Sequence, residues 1–185
     1  MDNGASSYRR FLNGDDNGII EIVNDYKDGL ILYLTSFVDN IYTAEELTEE
    51  TFFRLIVNKP KYYGKSSFKT WLYAIGRNIA IDFVRHASKV VDVAIEDLET
   101  YLGDNSDLER AYIKDETKIQ VHKALAKLPR DYRQVLWLIY FEEMTNAEAS
   151  AVMNKSDRQI RNLIYRAKQA LKEELMKEGF EYEEF

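Results

Sequence analysis

The chain has 185 residues, 45% hydrophobic and 31% charged, with no cysteine and a formal net charge of −7. That length suits one ordinary domain or two small helical ones, and the composition is that of a globular chain rather than a disordered or membrane-spanning one. Lack of cysteine excludes disulfides, thiolate metal ligands and a cysteine nucleophile. No apolar run reaches the roughly 18 residues of a membrane span, and the N-terminus, MDNGASSYRR, has no basic start leading into an apolar stretch. A cytoplasmic location without membrane insertion is expected.

Apolar residues recur at three- and four-residue steps, with only 8 glycines and 2 prolines among them, so the economical fold is all-α. Residues 16–39 read as one long helix or a helical pair, striped by Ile19, Ile22, Val23, Tyr26, Leu30, Tyr33, Leu34 and Phe37. A second helix is expected to start at Thr43, with Glu46 at capping-box spacing, and to stop near Lys59-Pro60. After a tyrosine-rich basic loop, Lys61 to Ser67, a third helix covers about Phe68 to His86. Phe68, Leu72, Ile75, Ile79 and Phe83 lie on one of its faces and Trp71, Asn78, Asp82 and Arg85 on another. Residues 89–113 are acidic and weakly periodic and read as a flexible linker. Beyond it a helix ends at Pro129, another covers Asp131 to about Glu143, and Asn146–Met153 and Asp157–Lys172 form a helix-turn-helix around Asn154-Lys155-Ser156. The expected division is therefore 8–88, 89–113, 114–177 and an acidic tail, 178–185, read as disordered.

The negative total conceals segregated charge. Between Arg54 and Lys89 eight cations face the single acid Asp82, and a second basic island runs from Lys155 to Lys172. Phosphate binding draws on such cations, although solvated helix faces can carry the same runs. On the last helix Ile160, Ile164, Ala167 and Leu171 form a docking stripe. Ser156, Arg158, Gln159, Arg161, Asn162, Tyr165, Arg166 and Lys168 remain for a DNA backbone and for base edges in the major groove.

In the first half, Lys61, Tyr63, Lys65, Ser66, Lys69, Trp71, Asn78, Asp82 and Arg85 interleave rings with cations, which suits single-stranded DNA. Phe68, Leu72 and Trp71 are expected in the core; Tyr62, Tyr63 and Tyr73 are the better candidates for exposure. Glu46, Glu49, Glu50 and Phe53 align on one side of the second helix, as a surface for a basic or polar partner or as a solvated face. His86 and His122 have no triad or ligand partner by spacing and read as surface or capping residues.

Three segments together carry a resemblance. Residues 43–55, TAEELTEETFFRL, resemble the D-A-E-D-L-x-Q-E-T-F helix of extracytoplasmic-function sigma factors, and residues 68–85, FKTWLYAIGRNIAIDFVR, resemble that family's F-x-T-W-L-x-x-I-A-x-N-x-x-x-D-x-x-R. Residues 124–136, ALAKLPRDYRQVL, resemble the opening of its region 4.

The resemblance, which covers about 16–175, implies sigma region 2 and region 4 helical domains. It also implies a non-enzymatic chain without cofactor that binds RNA polymerase core and directs promoter-specific initiation. Glu46, Glu49, Glu50 and Phe53 would bind the clamp helices of the largest subunit. The set from Lys61 to Arg85 would open the −10 element and hold the melted non-template strand, and the set from Ser156 to Lys168 would read the −35 element as duplex DNA. The acidic linker would run near the RNA exit path, and an anti-sigma factor would be a further partner. Departures lie at the turn, where Ala149, Ser150, Asn154 and Lys155 replace the usual residues, and at Leu163; Asn154 can take the left-handed conformation that glycine would adopt. A helix-turn-helix regulator, or a sigma-like protein acting without promoter melting, is the alternative reading. An enzyme would need a catalytic cluster that the sequence does not offer.

Overall fold

The computed structural model describes residues 3–91 and 116–177, whose regular elements are all helical. The first domain comprises α1 (Asn3–Leu12), α2 (Asn17–Val38), α3 (Ile41–Asn58) and α4 (Phe68–Val91). The second comprises α5 (Glu116–Ala126), α6 (Arg130–Leu136), a π turn (Trp137–Phe141), α7 (Asn146–Met153) and α8 (Asp157–Lys177). The expected two-domain all-α fold is thus present. Of the linker expected over 89–113, residues 92–113 lie outside the described residues, as do 114–115 of the expected second domain and the tail, 178–185, whereas residues 89–91 continue α4.

Helix α2 is one helix, not a pair, and organises both domains. From Leu30 to Phe37 each of its side chains is buried, as happens only to a helix surrounded on all sides. Buried hydroxyls on it turn back on the helix: Thr35 Oγ1 donates to the Leu32 carbonyl and Ser36 Oγ to that of Tyr33, both at 2.7 Å. Asp39 closes α2 in the left-handed conformation (φ 50°), its N–H donating to the Thr35 carbonyl.

The next helix therefore begins earlier than the Thr43–Glu46 spacing implies. Asn40 is the cap, its Oδ1 accepting from the N–H groups of Tyr42 (2.9 Å) and Thr43 (3.2 Å). Starting there also buries Ile41 completely. Helix α1 covers the other end: Tyr8 stacks among Phe68 and Trp71 and donates its hydroxyl to the Pro60 carbonyl at 2.8 Å, tying down the start of the loop before α4. Burial pushes that hydroxyl up to about 12, so it remains a donor.

The helix expected over Asp131 to Glu143 ends in a π turn. The Glu142 N–H reaches the Trp137 carbonyl at 3.1 Å, and the Trp137 and Phe141 rings stack at 4.3 Å. Beyond it the backbone turns through Glu143 at φ 53°.

The two domains dock. Lys69 Nζ lies 2.6 Å from the Glu142 carboxylate and donates to the Glu142 carbonyl at 2.8 Å. One Glu148 oxygen accepts from the hydroxyls of Ser67 (2.8 Å) and Thr70 (3.3 Å), while the other closes a capping box on Thr145. Arg130 donates to the Phe37 carbonyl and Arg133 pairs with Asp39. A cleft of about 250 Å³ remains between α2, α5 and α6, lined in part by Ser36, His122 and Trp137. His122 is buried, edge-on to Trp137 at 5.6 Å, rather than at the surface or at a cap.

Two outcomes follow from these helix ends and this docking. Asn40→Ala should cost about 1 kcal/mol, the usual worth of an N-cap, and Thr43→Ala clearly less; urea unfolding midpoints give the ranking, and the reverse order would place the cap at Thr43. For Glu148 burial raises the pKa, but hydrogen bonds from Thr145, Ser67 and Thr70 outweigh it and hold the carboxyl below its ordinary value of 4.5. A depressed folded value means that its contribution is complete above pH 4.5 and is lost as the pH falls through the folded value. Scattering should therefore show a constant radius of gyration down to about pH 4.5 and an increase only below it; an increase centred near neutrality would contradict this role.

Candidate functional site

Three surfaces hold the residues singled out in the sequence. On α3 the buried stripe Ile41, Ala44, Leu47, Thr48, Thr51, Phe52 and Leu55 faces the bundle. The opposite side presents Glu46, Glu49 and, half-buried and paired with Arg54 at 2.7 Å, Glu50. Phe53 is 57% exposed among them. Tyr42, Ile56 and Val57 extend this face as exposed apolar residues. They were legible as apolar positions falling between those of the buried stripe, but were not selected. The result is a strip in which rings and aliphatic groups alternate with carboxylates, a composition that suits a protein partner more than water.

The second surface is the loop and outer face of α4. Lys61, Tyr63 and Lys65 are exposed, Tyr63 to 75%. Ser66 is half-buried, with its carbonyl accepting from the Tyr62 hydroxyl at 2.5 Å. Trp71 is half-buried in a ring cluster with Tyr62 (5.2 Å) and Phe68 (5.5 Å), while Phe68 and Leu72 are fully buried. Asn78 and Arg85 are exposed, and Arg85 pairs with the half-buried Asp82 at 3.0 Å.

Two aromatic placements differ from expectation. Tyr73 is fully buried against Tyr33 at 5.4 Å, because its side of α4 faces α2 and the second domain; Phe83 is 43% exposed, whereas Ile81 and Val84 beside it pack on the core. Burial, then the negative Glu142, keeps the Tyr73 hydroxyl protonated. Lys69 differs from the other cations of this surface: it is turned to Glu142 across the domain boundary. Gly76, an unfavourable residue inside a helix, sits where a Cβ would come within 3.1 Å of Leu30.

The third surface is the helix-turn-helix. Thr145 and Glu148 cap α7, and Asn154 ends it in the left-handed conformation (φ 52°), as its amide side chain permits. Ser156 caps α8: its Oγ accepts from the Gln159 N–H, and the Gln159 side chain accepts from the Ser156 N–H at 2.8 Å. Ile160 and Ala167 anchor α8 as buried residues, with Ile164 and Leu171 half-buried behind them. Ser156, Arg158, Gln159, Arg161, Asn162, Tyr165, Arg166 and Lys168 are all exposed. Arg161 leans on Asp157 at 2.6 Å, and Lys168 lies over the exposed ring of Tyr140 at 5.9 Å. Tyr140, expected among the apolar positions of its helix, is instead 53% exposed. No helix among the described residues is long and apolar enough to cross a membrane.

Comparison with known proteins agrees with this architecture. The family model described as Sigma-70 region 2 matches residues 22–90, and that described as Sigma-70, region 4 matches 118–171. The chain is 34% identical over 154 residues to the ECF RNA polymerase sigma factor SigM of Bacillus subtilis, covering 83% of this chain and 93% of SigM. It is 29% identical to the RNA polymerase sigma-H factor of Pseudomonas aeruginosa, with 88% of each chain covered. Among solved structures, sigma factor RpoE in complex with the anti-sigma factor NepR from Bartonella quintana shares the fold, with a TM-score of 0.65, 21% identity, and 84% of this chain and 95% of that one covered. CnrH in complex with the cytosolic domain of CnrY does so with a TM-score of 0.65, 20% identity and coverages of 96% and 97%. The first domain is sigma region 2 and the second is sigma region 4, and the chain belongs to the extracytoplasmic-function sigma factors of RNA polymerase, which direct promoter-specific transcription initiation.

Proposed function

We propose that the three surfaces divide the work of initiation. The α3 strip, with Glu46, Glu49, Glu50 and Phe53 joined by Tyr42, Ile56 and Val57, binds the clamp helices of the largest subunit of core polymerase. Lys61, Tyr63, Lys65, Ser66, Lys69, Trp71, Asn78, Asp82 and Arg85 open the −10 element and hold the non-template strand, with rings stacking on bases and cations following phosphates. Ser156, Arg158, Gln159, Arg161, Asn162, Tyr165, Arg166 and Lys168 read the −35 element from the major groove.

The observation that carries this reading is the complete exposure of the α8 set on a helix docked by Ile160 and Ala167. The chain itself makes and breaks no bond: its contribution is binding energy, directed to base edges and to unstacking. It acts in the cytoplasm, without a cofactor. An anti-sigma factor is proposed as a further partner, since the solved structures of like fold named above are complexes with such proteins or with a partner's cytosolic domain.

Separate substitutions should separate the functions. Arg161→Ala is expected to weaken −35 duplex binding by about 1–3 kcal/mol and leave single-strand binding unchanged. Tyr63→Ala should lose about 1–3 kcal/mol of single-strand affinity, the worth of one stacked base, without affecting the duplex. Anisotropy titrations with each DNA read both, and a substitution that weakened both equally would mean that the surfaces are misassigned. Reversing charge with Glu46→Lys and Glu49→Lys should slow association with purified core and flatten its salt dependence; unchanged association kinetics would remove α3 from the polymerase contact.

A further inference from the structure

Two tyrosine hydroxyls hold the loop before α4, one from outside it and one from within. Helix α1 precedes residues 22–90, the stretch that matches region 2, yet it reaches the point where the chain leaves α3. There Lys59 takes the left-handed conformation (φ 42°), and Pro60 follows with its carbonyl accepting from the buried Tyr8 hydroxyl at 2.8 Å. One turn further along α1, the Phe11 ring lies 5.0 Å from the Lys59 ammonium group. Tyr8 and Phe11 thus grip two consecutive residues at the loop entrance from one face of α1. A Cβ at Gly4 would stand 2.4 Å from the Phe68 ring, so glycine there lets α1 lie this close to α4.

Tyr62 fixes the far end. Its ring packs on Phe68 (5.7 Å) and Trp71 (5.2 Å), the same two rings that receive Tyr8, and its hydroxyl donates to the Ser66 carbonyl at 2.5 Å. Between the two ties Gly64 turns the backbone at φ 67°, with open space where a Cβ would stand. Tyr63, Gly64 and Lys65 therefore project as a tip whose base is held on both sides, with Tyr63 75% exposed. Neither hydroxyl belongs to the set proposed to meet DNA.

Resting on the strand-binding reading above, we infer that Tyr8 and Tyr62 are positioning residues for the opened strand: through the Pro60 and Ser66 carbonyls they hold Tyr63 and Lys65 where a base and a phosphate are received. Neither tyrosine touches DNA itself. Their contribution is order established before binding. A loop that fluctuated from Lys61 to Ser67 would have to be ordered at each encounter, and affinity would fall with the fraction of time the tip is formed.

Tyr8→Phe and Tyr62→Phe keep the ring packing and remove one hydroxyl each. In the full chain either should weaken binding of a labelled single-stranded polythymidine dodecamer about threefold, and the pair about tenfold or more, as expected when a hydrogen bond that orders the competent state is lost. Amide exchange over 61–67 should quicken while that in the buried half of α2 stays constant, and affinity for a −35 duplex should not change. Coupling to Tyr63 is the decisive readout. With Tyr63→Ala already in place, Tyr8→Phe should alter dodecamer affinity by less than about 1.5-fold, because the ring it positions is gone.

Unchanged dodecamer affinity in both single variants, or a loss without quicker exchange, would overturn the inference. So would an equal loss with and without Tyr63→Ala, or a loss shared by the −35 duplex, either of which would reduce the hydroxyls to general stability. Tyr63→Ala alone separates the inference from the reading beneath it. If that substitution leaves dodecamer binding intact, the strand-binding reading fails and the inference with it; if it weakens binding while the hydroxyls prove indifferent, only the positioning role fails.

Discussion

The C-terminal half of α2 has to be covered on every side, and the rest of the molecule is arranged around that demand. Leu30, Ile31, Tyr33, Leu34 and Phe37 are at most 3% exposed, and a helix with apolar groups all round cannot lie on a surface. Helices α3 and α4 cover part of it. Leu32, Thr35 and Ser36 look the other way, towards His122, Leu125 and Trp137 of region 4. The fold of region 2 thus leaves a partly apolar face for which region 4 is the cover at hand, and the internal hydrogen bonds of Thr35 and Ser36 let that face be buried without orphaned hydroxyls.

What surrounds this apolar seam is polar and charged. Lys69 with Glu142, Arg133 with Asp39, and Glu148 with Ser67 and Thr70 fix the orientation of one domain on the other. Such contacts are demanding in geometry but small in net energy, because desolvation of the charges offsets much of their attraction. An interface of this kind is specific in orientation.

How much of this could be read beforehand depends on the range of the interaction. Helix α7 was legible from its short amphipathic pattern ending at Asn154, and its bounds in the sequence and in the structure coincide, with the Thr145–Glu148 capping box as a local signal that went unused. The start of α3 did not follow: Thr43 and Glu46 have the spacing of a cap, but the left-handed Asp39 delivers Asn40 to that role, and Ile41 gains burial by being helical. Phe83 and Tyr73 exchanged their expected environments because periodicity shows which residues share a face and not which neighbour that face meets. The π turn lies in an apolar run, Val135 to Phe141, that fits an ordinary helix equally well. Glu142 and Glu148 look like surface acids until the fold brings them to Lys69, Ser67 and Thr70. By contrast, the exposed sets on α3, on the loop before α4 and on α8 were visible in large part as charge and aromatic patterning, since solvated faces carry their chemistry in local sequence.

The central claim is that this chain directs polymerase through two distinct DNA surfaces, one on each helical domain. Run-off transcription by purified core polymerase on a library of promoter fragments, with and without the full chain, tests it most directly. The account predicts start sites that depend on the chain, preceded by two shared sequence elements at the −10 and −35 positions. An unchanged distribution of starts, or chain-dependent starts sharing a single upstream element, would contradict it.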